Sequence, residues 1–290
     1  MNAHDSAMLA PADVKARAAA AGLDVEGLMT ALLPWAASFA NVPVSGFTVG
    51  AVALGRSGAL YAGANLELAQ MPLSASVHAE QAVVANAWLN GETGLVALAV
   101  TDPPCGHCRQ FLNELEDAGR LRILVAEKTP ATLGELLPAA FGPANLGVGI
   151  RLLGAADHGL AAAPSGNDTL VAAAPADDEL AAAGLAAANA SYAPYTRAYA
   201  GVALRLRDAT VLTGRYAECA AYNPSLPALQ AALVALALRR ADAASIVDAV
   251  LAEVPGASSQ RTAAADALLA AAGIPLRYLA LVRSPGDAPT

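Results

Sequence analysis

The chain has 290 residues, of which 56% are hydrophobic and 14% charged, and its formal net charge at pH 7 is −8. This length favours two domains over one. The acidic balance argues against nucleic acid as the main partner, because basic groups that neutralise phosphates supply most of that affinity. No run of about 18 apolar residues is present, which argues against a transmembrane helix and a membrane partner.

The cysteines and the first residues bear on the cellular compartment. The three cysteines, Cys105, Cys108 and Cys219, make a poor framework for disulfide bonds. The sequence at 1–5 does not open a basic stretch followed by an apolar core, as a secretory signal would. We therefore expect a cytoplasmic protein whose thiols are available to bind a metal.

The predicted elements begin with two helical stretches, 11–21 and 25–40. The chain then runs twice through one order: two strands, a helix, a strand, a helix and a strand. Ser76 suits the N-cap of the first repeated helix, and Pro104 suits the start of the next helix. The segments are 48–55, 58–64, 76–89, 94–101, 104–117 and 121–126 in the first copy, and 201–207, 210–216, 226–240, 245–252, 258–272 and 275–282 in the second.

The two copies match in register at an offset of 151 positions, which relates Gly50 to Gly201. Chance similarity within one large domain is the alternative, and the number of matches in register argues against it. Further matched pairs are Gly63 and Gly214, Glu67 and Glu218, Pro43 and Pro194, and Pro104 and Pro255.

Alternating strands and helices predict an α/β fold with helices on both faces of a sheet, a three-layer α/β/α arrangement that is present twice. We expect a small N-terminal helical segment at 1–23 and a domain with the reactive residues at 24–153. A stretch rich in Ala, Gly, Pro and Asp at 154–178 reads as a linker, and a second domain follows at 179–290.

Cys105 and Cys108 open a predicted helix in the sequence Pro104-Cys105-Gly106-His107-Cys108. Positions three apart share a helix face, so both thiols can reach one metal, and a helix N-terminus favours the thiolate. By itself the pair is also compatible with a redox couple, a structural zinc site or coincidence. His107 could be proposed as a further ligand, but the tight spacing favours a surface histidine.

His78 adds a third ligand at the start of the preceding helix. One His and two Cys leave the fourth position of a zinc ion open for water, whereas a structural site normally closes with a fourth Cys or His. Glu80 lies off the face of His78, so its carboxylate can flank that water and move protons. Taken alone, Glu80 would be read as a solvated helix residue. We expect one zinc ion per chain, bound by His78, Cys105 and Cys108.

His-x-Glu followed by Pro-Cys-x-x-Cys is the signature of zinc deaminases of nucleosides and nucleobases. Two other interpretations stay open. A deaminase of a polynucleotide or a different nucleobase has the same signature, although the acidic charge disfavours it. A non-catalytic zinc module or regulatory pseudoenzyme would leave Glu80 and the open metal position without a purpose.

Beyond this signature, the sequence resembles the two-domain, homodimeric cytidine deaminases of bacteria over roughly residues 25 to 282. The motifs that carry the resemblance are Phe-Thr-Val-Gly-Ala at 47–51, Gly-Ala-Asn-Leu-Glu at 63–67, Val-His-Ala-Glu-Gln at 77–81, Cys-Gly-His-Cys-Arg-Gln-Phe at 105–111, Ala-Phe-Gly-Pro at 140–143, Tyr-Ala-Glu at 216–218 and Asn-Pro-Ser-Leu-Pro at 223–227.

The resemblance implies hydrolysis of cytidine and 2′-deoxycytidine to the uridine nucleosides with release of ammonia, in pyrimidine salvage and in a homodimer. It implies that Asn65 and Glu67 hydrogen-bond the ribose and that Phe47 and Phe141 pack against the pyrimidine. Leu66 counts among the substrate-binding residues on the same ground.

One departure from the family precedes the first cysteine, where Asp102-Pro103 stands in place of an aromatic residue and a threonine. This bears on contacts to the amino group of the substrate, not on the zinc.

The second copy has lost the reactive groups. At the offset of 151, Leu229 replaces His78, Ala231 replaces Glu80, and Gly256 and Ser259 replace the cysteines. We expect this copy to be catalytically inactive, with Glu218 kept for the fold and Cys219 a buried small residue. The resemblance implies that it helps to form the dimer and completes the partner's site.

Overall fold

The structure, a computed structural model, describes residues 7–163, 172–173, 178–256 and 258–283. We call the described residues up to 153 the first half and those from 154 the second half; each half contains one six-stranded sheet. The first half consists of β1 (Met8–Leu9), α1 (Pro11–Ala21), α2 (Val25–Ala31), α3 (Leu33–Ala37), β2 (Gly50–Gly55), β3 (Leu60–Ala64), α4 (Ala79–Leu89), β4 (Leu95–Val100), α5 (Gly106–Leu112), β5 (Arg122–Val125), β6 (Ala131–Thr132) and α6 (Leu133–Leu136). The second half consists of β7 (Leu160–Ala162), β8 (Ala172–Ala173), α7 (Glu179–Asn189), β9 (Ala200–Leu206), β10 (Val211–Arg215), α8 (Ala228–Leu238), β11 (Ile246–Glu253), α9 (Arg261–Ala272) and β12 (Arg277–Arg283).

The two sheets have the same core topology. The first has the order β1-β3-β2-β4-β5-β6, and the second has the order β10-β9-β11-β12-β7, with β8 also paired to β12. In the first sheet, β2 and β3 form an antiparallel hairpin, β2 also pairs antiparallel with β4, and β4 pairs in parallel with β5. In the second sheet, β9 and β10 form the hairpin, β9 also pairs antiparallel with β11, and β11 pairs in parallel with β12. The predicted repeat and the α/β class are therefore confirmed.

Paired glycines show why helices cover both faces of each sheet. A Cβ on Gly50 would lie 2.4 Å from the backbone nitrogen of Ala37 in α3, and one on Gly63 would lie 2.2 Å from that of Val83 in α4. Gly63 pairs with Ala51, the neighbour of Gly50, so the two glycines face opposite sides of the sheet. Each side thus admits a helix backbone at close range, which gives the three-layer arrangement.

Some predicted helix boundaries were wrong. The stretch 25–40 contains two helices, α2 and α3, because Pro34 lacks the N–H that would continue a single helix. The next helix begins at Ala79 with His78 as its N-cap, rather than at Ser76. The helix expected over 104–117 spans Gly106–Leu112 only.

Part of the segment predicted as a linker belongs to the second sheet. Within 154–178, β7 pairs antiparallel with β12, and β8 pairs with β12 in parallel. Residues 164–171 and 174–177 lie outside the described residues.

The register of the repeat shifts at the first helix of the second sheet. Leu66 bridges to Val77 in the first half, and Ala217 bridges to Leu226 in the second. Leu66 and Ala217 are 151 positions apart, whereas Val77 and Leu226 are 149 positions apart. The loop between the two bridged residues is therefore two residues shorter in the second half. The prediction that Leu229 replaces His78 and that Ala231 replaces Glu80 is therefore wrong.

In the corrected register, Pro227 occupies the N-cap position of His78 and Leu229 replaces Glu80. The next helix is displaced as well: Cys105 is the N-cap of α5, whereas Gln260 is the N-cap of α9. By helix start, the counterpart of Cys105 is thus Gln260 rather than Gly256. Neither alignment puts a thiol, an imidazole or a catalytic carboxylate at these positions of the second half.

A buried carboxylate joins the two halves. Glu114 is fully buried, and it accepts hydrogen bonds from the hydroxyls of Tyr192 at 2.9 Å and Tyr195 at 2.6 Å and from the Ala220 N–H at 2.8 Å. Burial raises the pKa of both tyrosines, so they stay protonated donors. One hydrophobic core also runs through both halves.

None of the helices in the described part of the chain combines the length and the apolar character needed to cross a lipid bilayer.

Candidate active site

Three ligand atoms predicted to hold a metal lie together in the first half. The Nδ1 atom of His78 is 3.2 Å from Sγ of Cys108 and 3.5 Å from Sγ of Cys105, and the two sulfurs are 3.6 Å apart. His78, Cys105 and Cys108 are the one group of this kind among the described residues.

Local helix starts bring these ligands together. His78 and Cys105 are the N-caps of α4 and α5, and Cys108 lies in the first turn of α5. N-caps have extended backbones that direct their side chains back over the helix end. Two helix N-termini therefore converge on one point, where their dipoles favour negatively charged ligands such as thiolates.

The donor set and its spacing fit zinc. With metal–ligand bonds of about 2.3 Å to sulfur and 2.0–2.1 Å to nitrogen, a tetrahedral ion sets its ligand atoms about 3.6–3.8 Å apart. The three observed separations differ from these edge lengths by about 0.4 Å at most, so the ligand atoms match one face of the tetrahedron. Three protein ligands leave one vertex open, which is the coordination of a catalytic rather than a structural zinc.

Burial shifts the pKa of two of these ligands, His78 and Cys108. Burial lowers the pKa of His78, aided by His107 beside it, so the imidazole is neutral and able to ligate. Burial also raises the pKa of the Cys108 thiol, with nearby Glu80 and Cys105 adding to the shift. A cation bound here would displace the thiol protons, so that metal binding and proton release are coupled.

Glu80 lies beside this group, buried in the first turn of α4 with 4% of its surface exposed. Burial raises its pKa, and the charge of Asp102 raises it further. A raised pKa makes the Glu80 carboxylate a stronger proton acceptor, as a general acid–base requires.

A cavity of about 400 Å³ opens in front of these residues. Three carboxylates line it, from Glu67, Glu80 and Asp102, and its lining includes no Lys or Arg. The Asp102-Pro103 departure noted in the sequence therefore forms part of the wall. The other lining residues are Ser45, Phe47, Val49, Asn65, Leu73, Ser76, Val77, His78, Ala79 and Cys105.

Asn65 and Glu67 shape the loop that forms the opposite wall. The Asn65 side chain accepts from the Val49 N–H at 2.8 Å and donates to the Phe47 carbonyl at 2.8 Å. The Glu67 carboxylate accepts from the N–H groups of Val44 and Ser45, both at 2.9 Å. These bonds hold Phe47, which is 58% exposed, at the mouth of the cavity.

Two residues assigned to substrate binding lie outside this cavity. Leu66 is buried, and its backbone pairs with Val77. Phe141 is 48% exposed on another part of the surface, where its carbonyl accepts from the side chains of Gln110 and Asn113. The structure of one chain brings neither residue to the site.

His107 is partly exposed, as its spacing suggested, but it also contacts the second half. Its Nε2 donates to the Asn223 carbonyl of the second half at 3.1 Å, and its Nδ1 is buried. Its ring lies 5.5 Å from that of His78, and it is not part of the ligand group. No sequence signal pointed to this contact, because it depends on how the two halves pack.

Family profiles and known proteins resemble this chain over most of its length. A family profile described as "Cytidine and deoxycytidylate deaminase zinc-binding region" matches residues 24–124, and another with the same description matches residues 133–266. The chain is similar to the cytidine deaminase of Serratia proteamaculans, with 47% identity over 267 residues that cover 92% of this chain and 87% of that protein. For the cytidine deaminase of Sodalis glossinidius, the identity is 48% over 266 residues, with coverage of 91% and 86%.

Among solved structures, a cytidine deaminase from Mycobacterium tuberculosis is 37% identical, and the match covers 40% of this chain and 95% of that one with a TM-score of 0.37. The description of both profiles as a zinc-binding region is consistent with the group of His78, Cys105 and Cys108. This chain belongs to the cytidine and deoxycytidylate deaminase family of zinc-binding enzymes.

Proposed function

We propose that the chain hydrolyses cytidine and 2′-deoxycytidine to uridine and 2′-deoxyuridine, with release of ammonia. The observation that carries the proposal is the pairing of a three-ligand zinc site with the buried carboxylate of Glu80 at the end of one cavity. The names of the relatives point to the same substrate.

The reaction replaces the amino group on C4 of the pyrimidine with the oxygen of water. A bound zinc ion supplies Lewis acidity, which makes a water acidic enough to lose a proton near neutral pH. Glu80 takes this proton on a carboxylate oxygen and gives it to ring N3 as the C4–O bond forms. It then carries the hydroxyl proton to the amine as the C4–N bond breaks and ammonia leaves.

The charges in the cavity favour a nucleoside over a phosphorylated substrate. No Lys or Arg lines the cavity, while Glu67, Glu80 and Asp102 do. A phosphate group would meet repulsion from these carboxylates, and no Lys or Arg among the described lining residues would bind it. We assign Asn65 and Glu67 to the ribose and Phe47 to the base, on the basis of their place in the wall and the family resemblance.

Three finer assignments belong to the same proposal. The protein acts as a homodimer, in which exposed Phe141 reaches the base of a substrate bound to the other chain. The chain is divided into an N-terminal segment at 1–23, a catalytic domain at 24–153 and an inactive domain that includes β7 and β8 as well as the residues from 179. The reaction serves pyrimidine salvage in the cytoplasm, where reducing conditions keep the ligand thiols free. A single-chain mass in solution would contradict the dimer.

The test is ammonia release from cytidine, with zinc assayed on the same sample. We expect turnover with one zinc per chain, and Glu80→Gln should keep the zinc while losing about 10²- to 10⁴-fold in turnover. Cytidine monophosphate and a single-stranded oligonucleotide serve as control substrates. Turnover of the oligonucleotide without cytidine, or zinc without turnover of any of these, would overturn the proposal.

A further inference from the structure

The segment from Cys219 to Ser225 joins β10 to α8 in the second half and lies against the zinc-bearing helices of the first. Four bonds dock it. The Cys219 thiol donates to the Gln110 carbonyl at 3.6 Å, and the Ala220 N–H donates to Glu114 at 2.8 Å. In return, His107 donates to the Asn223 carbonyl at 3.1 Å and Gln81 donates to the Pro224 carbonyl at 2.9 Å.

The last two bonds each reach a metal ligand. Gln81 is 2% exposed, and its side-chain oxygen accepts from the backbone N–H of His78 at 3.3 Å while its amide nitrogen holds Pro224. His107 lies between Cys105 and Cys108 in the chain, so a bond on its ring fixes the first turn that carries both thiols.

The accepting carbonyls belong to a loop that its own bonds hold in shape. The Cys219 N–H donates to the Ser225 hydroxyl at 2.9 Å, and the Tyr222 N–H donates to the Cys219 carbonyl at 2.8 Å. The Ser225 N–H donates to the Tyr222 carbonyl at 2.9 Å, which closes the turn. Asn223 and Pro224 therefore offer two carbonyls in fixed positions, as a preorganised support requires.

We infer that the Asn223–Pro224 stretch of the inactive half is a fixed part of the zinc centre in the same chain, and that Gln81 and His107 are positioning residues that transmit this support to His78 and to the two thiols. The inference builds on the proposed zinc site and adds a role for the second half beyond dimer formation. Groups that orient metal ligands typically change metal affinity about 10- to 100-fold when they are removed.

The experiment measures zinc release to a chromogenic chelator and the visible spectrum of the Co²⁺-substituted enzyme. The variants are Gln81→Met, His107→Phe and the two combined, which remove the donors at similar size. The matched control is Arg240→Met, which cuts a different contact between the halves, from Arg240 to the Ser38 carbonyl at 3.0 Å and its hydroxyl at 2.7 Å.

We expect the double variant to release zinc about 10- to 100-fold faster and to shift the thiolate-to-cobalt and ligand-field bands, while Arg240→Met leaves both at parent values. His107→Gln, which keeps an N–H donor, should release zinc more slowly than His107→Phe. If the double variant does not fold, the difference in zinc release between these two single variants tests the inference. Parent-like release and spectra, or equal effects of Arg240→Met, would overturn the inference. Failure of the proposed reaction would appear separately, as a zinc-loaded parent that does not turn over cytidine.

Discussion

Glu67 in the first half and Glu218 in the second make the same set of hydrogen bonds. Each carboxylate accepts from two consecutive backbone N–H groups and from the hydroxyl of the second of those residues, in the loop before the first hairpin strand. The donors are Val44 and Ser45 for the first glutamate and Tyr195 and Thr196 for the second. Among the described residues the one group of candidate metal ligands lies in the first half, so the same anchoring in the second half is a property of the fold and does not require a substrate.

The paired glycines lead to the same conclusion. A Cβ on Gly214 would lie 2.1 Å from the Ala228 carbonyl in α8, and one on Gly201 would lie 2.3 Å from the Ala188 nitrogen in α7. Gly63 and Gly50 lie comparably close to helix backbones in the first half. Residues that both halves share therefore maintain the close approach of helix to sheet.

Other residues that line the cavity differ between the halves. His78 corresponds to Pro227 and Glu80 to Leu229 at the two helix starts. Asn65, which holds the Phe47 loop in the first half, corresponds to Tyr216. The comparison thus separates two kinds of polar residue, those that the duplicated fold retains and those that only the chemistry explains.

The largest expected difference between the halves comes from replacing a thiol in each of them. Cys108→Ala should abolish zinc binding at the site and nearly all turnover, because without the metal the pKa of the attacking water would rise from about 7 toward that of bulk water. Zinc per chain and ammonia release, measured on the same preparation, check this.

Cys219→Ala is the matched control, since Cys219 is also a buried free thiol but lies outside the ligand group. It should keep one zinc per chain, because it removes one docking bond of the segment from Cys219 to Ser225, to the Gln110 carbonyl, but no metal ligand. Complete loss of zinc in this variant would contradict the assignment of the metal to His78, Cys105 and Cys108.

A smaller effect would separate the two roles of Glu67. Glu67→Gln should raise KM for cytidine about 10- to 100-fold if the carboxylate binds the ribose, since a hydrogen bond to a charged group contributes about 1.5–3 kcal/mol. Steady-state kinetics give KM and kcat separately.

Glu218→Gln weakens the same loop anchor in the second half, away from the ligand group of the first half, so it should lower the thermal stability and leave KM unchanged. Equal KM values for the two variants and the parent would mean that Glu67, like Glu218, serves only the fold.

The sequence predicted the reaction class better than it predicted the boundaries of the helices. Ligand types at His78, Cys105 and Cys108, with Glu80 two residues after the histidine, indicate one reaction class wherever the helix begins. The repeat likewise predicted two copies of one α/β sheet, because strand order depends on hydrophobic runs that both copies keep.

What the sequence could not predict depends on loops and on packing between the halves. A constant offset hid the two-residue shortening before α8, so Leu229 was paired with the wrong residue. The contacts of Gln81 and His107 with Asn223 and Pro224 join residues more than a hundred positions apart, and no periodicity carries such information. The place of Phe141 outside the cavity depends on the packing of a loop in the same way.

The smallest predicted effect is a pH dependence that tests the charge on the Glu67 anchor. The Ser45 hydroxyl, then the N–H groups of Ser45 and Val44, hold the pKa of Glu67 below its usual value. A carboxylate whose pKa is lower in the folded than in the unfolded state binds fewer protons when folded. Its stabilising contribution is therefore complete above the unfolded pKa of about 4.3 and is lost as the pH falls through the folded pKa.

The difference in Tm between the parent and Glu67→Gln should accordingly be constant from about pH 7 down to about pH 5.5 and shrink as the pH falls below about 4.3. Both proteins carry the same metal ligands, so release of zinc in acid affects both and largely cancels in the difference. Thermal unfolding followed by circular dichroism across this range measures it. A difference that persists unchanged in acid would mean that neutral hydrogen bonds, rather than the carboxylate charge, anchor the loop at the mouth of the cavity.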